Sequence, residues 1–139
     1  MPSLEVSKTI AAPRAQVFAA WIDPEFMKMW FAPGDMTVGD VQVDAKVGGS
    51  YRIVMQGGGI TPTAIGEYKE IVANQKLVFT WKWEGDPGQP TLVTVSFHDD
   101  GGGTRIDLKH ERLPSEESRA RHEHGWIGCL DNLAKKITV

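Results

Sequence analysis

Cysteine is nearly absent from this 139-residue chain. Cys129 stands alone, so no disulfide can form within the chain and no cysteine-rich metal site can be built. An excess of positive charge is also missing. With 15 Lys and Arg against 18 Asp and Glu, the net charge is −3 and the pI about 5.8. A phosphate-binding surface needs a basic footprint, so nucleic acid is not an expected partner. No apolar run approaches the length of a membrane span, and the opening residues MPSLEVSKTI lack the apolar stretch of a secretion signal. A cytoplasmic protein with no membrane span is expected. Repeats, low-complexity tracts and linkers are lacking too, so residues 1–139 are expected to form a single domain, large enough to bury a core.

Some motifs lack their defining partners. Gly57-Gly58-Gly59 is not followed by Lys-Ser/Thr, and neither it nor Gly101-Gly102-Gly103 opens a helix after a strand, so neither is a phosphate loop. Both suit hairpin connections, and the stretch from Gly57 to Thr61 is a candidate gate to a cavity. His122-Glu123-His124 resembles a metal cluster, but histidines two apart diverge on a helix, and the zinc-protease pattern needs them four apart. No metal or other cofactor is expected.

What is present begins with the C-terminal stretch. Residues 115–139 contain no proline, and bulky or apolar residues recur at His122, Trp126, Cys129/Leu130, Leu133 and Ile137. Steps of three and four put them on one stripe of a helix. Ser115 suits the N-cap; Glu116 and Glu117 in the first turn and Lys135 and Lys136 near the end complement the helix dipole. Helical throughout, the stretch would measure roughly 35 Å at 1.5 Å per residue. A helix that long with one apolar face needs a broad concave surface to lie on.

The rest of the chain supplies it. Leu4, Val6 and Ile10 alternate with Glu5, Ser7 and Thr9, with Lys8 breaking the apolar parity. Pro13 opens a short helix with Val17, Phe18 and Trp21 on its stripe. Asp23 caps a second, with Pro24 at its first position and Phe26, Met27, Met29, Trp30 and Phe31 making it strongly apolar until Pro33-Gly34 stops it. From Met36 the period becomes two. Val41 and Val43 share one side, as do Tyr51, Ile53 and Met55, then Gly66 and Tyr68, where the glycine marks a bend or bulge. Leu77, Phe79, Trp81 and Trp83 follow, then Val93, Val95 and Phe97, then Ile106, Leu108 and His110. Short turns between consecutive strands imply antiparallel pairing. The expected fold is α+β: a seven-stranded curved antiparallel sheet around a long C-terminal helix, with two short helices between strands 1 and 2.

These elements carry a family pattern: Ile10-Ala-Ala-Pro13, Val17-Phe18-Ala-Ala-Trp21-Ile-Asp23-Pro24, Trp30-Phe31-Ala-Pro33-Gly34, Val47-Gly48-Gly49-Ser-Tyr51-Arg52, Gly66-Glu-Tyr68-Lys-Glu70-Ile71, Leu77-Val-Phe79-Thr80-Trp81, Gly103-Thr104, His110 and Gly125-Trp126. Together, over nearly the whole chain and in order, they resemble the heat-shock protein 90 ATPase activator-like family of the START-like, birch-pollen-allergen-like (SRPBCC) superfamily. The resemblance implies the helix-grip fold. Superfamily relatives bind sterols, lipids, plant hormones and polyketides, and some are cyclases or hydroxylase subunits. The activator itself couples such a domain to a separate chaperone-binding domain that these residues do not contain. The resemblance carries over no catalytic constellation.

Three functions follow as alternatives. In the first, the protein binds a small hydrophobic or aromatic molecule between sheet and helix. Trp30 and Phe31 from the second short helix would join Tyr51, Ile53, Met55, Tyr68, Phe79, Trp81, Trp83 and His110 of inward strand parity, and Trp126 and Cys129 from the long helix. Apolar walls with a few polar groups make small-molecule pockets, and Tyr51, Tyr68, His110 or a tryptophan N–H would orient the ligand. Against this, the same side chains could fill the space themselves. His110 is either a polar hook or base, or a core histidine bonded to a neighbour. Cys129 behaves as a small hydrophobe unless a base and an electropositive setting activate it. Gly125 and Gly128 each cost the helix roughly 1 kcal/mol relative to alanine, either to leave room for a ligand or to let the helix approach Trp81, Trp83 or another large residue. In the second function the protein is a stress-related interaction module or chaperone co-factor, using its outer sheet or the apolar helix near Trp30 and Phe31. In the third it is a cyclase- or hydrolase-like enzyme with His110 or a carboxylate as acid/base. Binding rather than catalysis is favoured, with no catalytic residue assigned, by a monomer or homodimer.

Overall fold

Alternating apolar residues in seven successive segments leave one face of each strand to be covered. The computed structural model, which describes residues 2–137, shows how this is done. The strands are β1 (Leu4–Ile10), β2 (Thr37–Val43), β3 (Ser50–Gln56), β4 (Thr63–Val72), β5 (Lys76–Trp83), β6 (Thr91–Asp100) and β7 (Gly103–Glu111). Two short helices, α1 (Arg14–Ala19) and α2 (Pro24–Trp30), lie between β1 and β2, and the long helix α3 (Glu116–Lys136) follows β7. All neighbours are antiparallel in the order β1-β7-β6-β5-β4-β3-β2, curled into a half-barrel around α3.

Bulges contribute to the curl. Register shifts between Val38 and Val41 on the β2–β3 pair and between Tyr68 and Glu70 on the β4–β5 pair bend and twist the sheet. The bend foreseen at Gly66 lies beside the second. There the β4–β5 pairing skips Gly66 and Glu67, and side chains complete it. The Tyr51 hydroxyl donates to the Thr80 carbonyl at 2.5 Å, and the Glu67 N–H donates to Thr80 Oγ1 at 2.9 Å. A Cβ on residue 66 would overlap that carbonyl oxygen and crowd the Tyr51 ring and hydroxyl, so glycine is required.

The inner face buries Leu77, Val93, Val95, Ile106 and Leu108, and α3 lays Trp126, Cys129, Leu130 and Leu133 on it, as the stripe predicts. Ser115 caps α3, its Oγ accepting from the Ser118 N–H at 3.1 Å. Asp23 caps α2 in the same way, accepting from the Glu25 N–H at 2.9 Å. Three details differ from expectation. Pro13 is the N-cap of α1, not its first residue. The long helix ends at Lys136, with residues 138–139 of the expected span outside the described residues. Lys8 does not break the strand pattern: it keeps inward parity, half-buried, with Nζ 2.9 Å from Asp131 Oδ1 on α3. Among the described residues, no helix is long and apolar enough to cross a membrane.

Candidate functional site

Strand parity and the α3 stripe bring the predicted residues to one interior. Eleven of the twelve are buried, and only Trp83 is half-buried. Seven of them fall into two aromatic groups. Trp30, Phe31, Trp81 and Trp126 gather with Trp21 under α2 and α3, ring centroids 4.7–6.2 Å apart between neighbours. Tyr51, Tyr68 and Phe79 form a separate triangle on β3, β4 and β5, 5.6–6.2 Å apart. Trp30 and Phe31 are each 2% exposed, so these two side chains are core, while Met29 on the same helix is 49% exposed. Two surface recesses share Arg52 as a wall. One, about 380 Å³, is lined by Arg52, Val54, Thr63, Trp83 and Glu84. The other, about 620 Å³, lies against Val43, Arg52, Ile65, Gly66 and Lys82.

The polar atoms of the interior divide into engaged and unengaged ones. His110 is fully engaged. The Trp126 indole N–H donates to its Nδ1 at 3.1 Å, so the ring proton sits on Nε2. Nε2 then donates to Thr91 Oγ1 at 2.6 Å, and that hydroxyl donates to the Trp81 carbonyl at 2.8 Å. Burial, reinforced by His122, pushes the His110 pKa down to about 3, so the ring is neutral in the folded protein. This is a bonded core histidine with both nitrogens taken. The Tyr51 hydroxyl is occupied by Thr80 and the Trp30 indole by the Ala20 carbonyl at 2.9 Å. Burial pushes the Cys129 thiol up to about 12, which makes it a small hydrophobe.

Among the described residues, three buried side-chain nitrogens have no hydrogen-bond partner: Trp21 Nε1, Trp81 Nε1 and His122 Nε2. Two of them belong to rings of one cluster. Trp81 neighbours Trp83 at 5.4 Å, Trp83 neighbours His122 at 6.1 Å, His122 neighbours His110 at 4.9 Å, and His110 neighbours Trp81 at 6.2 Å, closing a four-membered aromatic box. His122 Nδ1 lies 2.8 Å from the Ser118 carbonyl, which only accepts, so Nδ1 carries the proton and Nε2 presents a lone pair. Burial lowers the His122 pKa and keeps that lone pair free. His124 points to solvent. No three His, Cys, Asp or Glu side chains among the described residues come together as a metal site requires.

The two helix glycines have different surroundings. Less than one turn beyond His122, a Cβ on Gly125 would meet nothing within 4 Å. A Cβ on Gly128 would meet Pro33 Cβ at 3.1 Å and the Gly34 nitrogen at 3.2 Å. The close approach therefore exists, but to the segment after α2 and not to Trp81 or Trp83. Asn132 fastens the same segment through the Ala32 carbonyl at 2.6 Å. Sequence reasoning left out Thr91 and His122 as site members. Extending the β6 alternation one step back from Val93 reaches Thr91, and the α3 stripe already contains His122.

A curled seven-stranded antiparallel sheet closed by one long helix, with two short helices between its first two strands, defines an α+β helix-grip protein, an architecture consistent with the START-like superfamily. Within it, the chain belongs to the Activator of Hsp90 ATPase homolog 1-like protein family, whose model matches residues 11–137. Solved structures are similar over nearly the full length. Protein CV1439 from Chromobacterium violaceum is 21% identical, with 99% of this chain and 97% of that chain covered and a TM-score of 0.90. The AHSA1 protein from Silicibacter pomeroyi is 26% identical, covering 98% and 97%, with a TM-score of 0.87. The AHSA1-like protein from Aeromonas hydrophila is 24% identical, covering 96% and 90%, with a TM-score of 0.80. No curated protein matches the sequence.

Proposed function

We propose that the protein binds a small, mainly apolar or aromatic molecule at the mouth of the helix grip, between β5 and the N-terminal half of α3. The observation that carries this reading is the pair of buried, unpartnered nitrogens, Trp81 Nε1 and His122 Nε2, whose rings belong to one aromatic cluster, with room for a side chain at Gly125, three residues along α3 from His122. A buried polar group without a partner costs about 1–3 kcal/mol, and a ligand that supplies the partner recovers it. Trp83 is the movable wall: half-buried, it borders the outer recess on one side and Trp81 and His122 on the other. Burial of ligand apolar surface, at about 25 cal/mol per Å², would drive binding. In this reading Trp81, Trp83, Trp126 and His122 contact the ligand. Trp30, Phe31, Tyr51, Ile53, Met55, Tyr68, Phe79, His110 and Cys129 form the packed scaffold behind them.

Titration of the ¹⁵N-labelled protein with sterols, fatty acids and polyphenols tests this through its five tryptophan indole signals. Saturable shifts of the Trp81 and Trp83 signals, lost in a folded Gly125→Leu variant, are expected. No saturable response to any class refutes the reading. The family description supports a second one, a chaperone or other protein as partner, with the outer recess near Arg52 and Lys82 as its surface. A partner captured by the Trp83→Ala variant but lost on Arg52→Glu would favour it.

A further inference from the structure

We propose that the recess across β2, β3, β4 and β5 docks an extended segment of a partner protein, in which an Asp or Glu side chain pairs with Lys82 and an adjacent apolar side chain lies on Ile65. The proposal rests on the protein-partner reading above and names what that partner presents. Gln42 pairs in register with Arg52, Arg52 with Ile65, and Ile65 with Lys82, so the four form one row across the sheet. Alternation puts that row on the face opposite the buried Ile53 and Ala64, away from the core. All four line one recess of about 620 Å³, together with Val43 and Pro90. At about 4.8 Å between neighbouring strands the row measures about 14 Å, the length of about four extended residues.

Charge on the strands is matched except at one position. Lys8, Arg52, Lys69, Lys76, Arg105 and Lys109 each pair with a carboxylate of this chain. Among the described residues, the half-buried Lys82 is the one strand cation without such a partner. The other charged side chains of the recess are engaged. Arg52 donates to Glu84 through Nε and Nη2 at 2.8 and 2.9 Å, Asp44 lies 3.7 Å from Lys46, and Glu67 lies 3.1 Å from Lys69. The lining therefore carries one unmatched positive charge next to an apolar residue, Ile65, on the adjacent strand. A carboxylate beside an apolar group complements both, whereas a basic segment meets Lys82 and Arg52 together. The recess is open to solvent, which leaves a free small molecule far short of the 70–90% burial usual in small-molecule sites. A segment held in place by its own protein does not need that enclosure.

Selection of random peptides of about seven residues, displayed on phage, against the wild-type protein and its Lys82→Glu variant tests the proposal. The wild-type protein should enrich Asp or Glu next to an aliphatic or aromatic residue, and Lys82→Glu should enrich Lys or Arg at that position instead. A synthetic peptide of the enriched sequence should shift the ¹⁵N amide signals of Arg52, Ile65 and Lys82. Lys82→Met should weaken that peptide about two- to fivefold and remove much of the salt dependence of its binding. The two Lys82 variants are independent, so misfolding of one leaves the other to decide. Enrichment without an acidic preference, or a preference that persists in Lys82→Glu and an affinity unchanged in Lys82→Met, overturns the acidic-segment proposal. Peptide binding still lost in Arg52→Glu then leaves the partner reading standing. Absence of any enriched peptide overturns the proposal and the partner reading together. In that case saturable shifts of the same amides with octanoate assign the recess to a free acid, and shifts that grow with protein concentration assign it to a second copy of the chain.

Discussion

Gly125→Ala and Gly128→Ala are the same chemical change three residues apart on α3, and the structure assigns them different outcomes. Alanine is favoured over glycine in a helix interior by about 1 kcal/mol. At residue 125 nothing opposes that gain, because the new methyl meets no atom within 4 Å. With an unfolding entropy of about 2.1 cal/mol/K per residue, a chain of this length gains about 3 °C in Tm per kcal/mol. At residue 128 the methyl meets Pro33 Cβ at 3.1 Å and Cα and the Gly34 nitrogen at 3.2 Å, inside the roughly 3.5–4.0 Å of favourable carbon contacts. Two of those atoms are backbone, so relief requires the segment after α2 to move, and overpacking of this kind costs about 1–3 kcal/mol. The net change at 128 runs from about zero to a loss of about 2 kcal/mol, placing the two variants about 1–3 kcal/mol apart. Scanning calorimetry together with urea unfolding at constant m-value measures the gap. Equal stabilisation of both variants would refute the tight contact between α3 and Pro33, and destabilisation by Gly125→Ala would refute the open space.

Acid should weaken the fold through His110. Its pKa is about 3 when folded against 6.5 for the free side chain, so between those values the unfolded chain binds the extra proton and stability falls as pH drops below 6.5. At 1.36 kcal/mol per unit the loss is about 2 kcal/mol by pH 5, with lowered His122 acting in the same sense. Urea midpoints at pH 7 and 5 should converge in a His110→Phe variant, and a flat wild-type profile would contradict the buried neutral ring. Tyr51→Phe leaves the Thr80 carbonyl without its donor, so a loss of about 1–2 kcal/mol and faster amide exchange across β4 and β5 are expected; unchanged exchange would argue against the strut. Gly66→Ala should cost more than about 3 kcal/mol or prevent folding, because the atom overlapped is backbone, and a native-like Tm would count against this. Lys8→Met should cost less than about 1 kcal/mol in urea unfolding, since the Lys8 and Asp131 side chains are 37% and 48% exposed; a larger loss would show the pair to be shielded from solvent.

The architecture was legible because it rests on local periodicity. Parity on seven segments and one helical stripe were enough to place the sheet, the grip helix and eleven buried residues. What periodicity does not report is which polar atoms find partners. Whether His110 is a hook or a core residue depends on Trp126 arriving over its Nδ1 and Thr91 over its Nε2, and both meetings are set by tertiary register. Lys8 looked like a defect because its partner, Asp131, lies 123 residues away. The neighbour of Gly128 stays open in the sequence because the approach of Pro33 to α3 has no sequence period. The open position at Gly125 is a space between elements, and no pattern along a chain encodes a space.

The place of β1 has a consequence for how the protein is made. Leu4 pairs with His110 and Ile10 with Thr104, whereas β2 to β7 each find their next partner immediately along the chain. On a ribosome adding about 5–20 residues per second, β1 emerges and then waits roughly 5–20 seconds for β7 to exist. Throughout that interval Leu4, Val6 and Ile10 have no sheet to join, while the β2–β6 meander is already able to form. The last strand to be made therefore recruits the first, and capture of the free β1 segment by another molecule in that interval would leave β7 with an open edge.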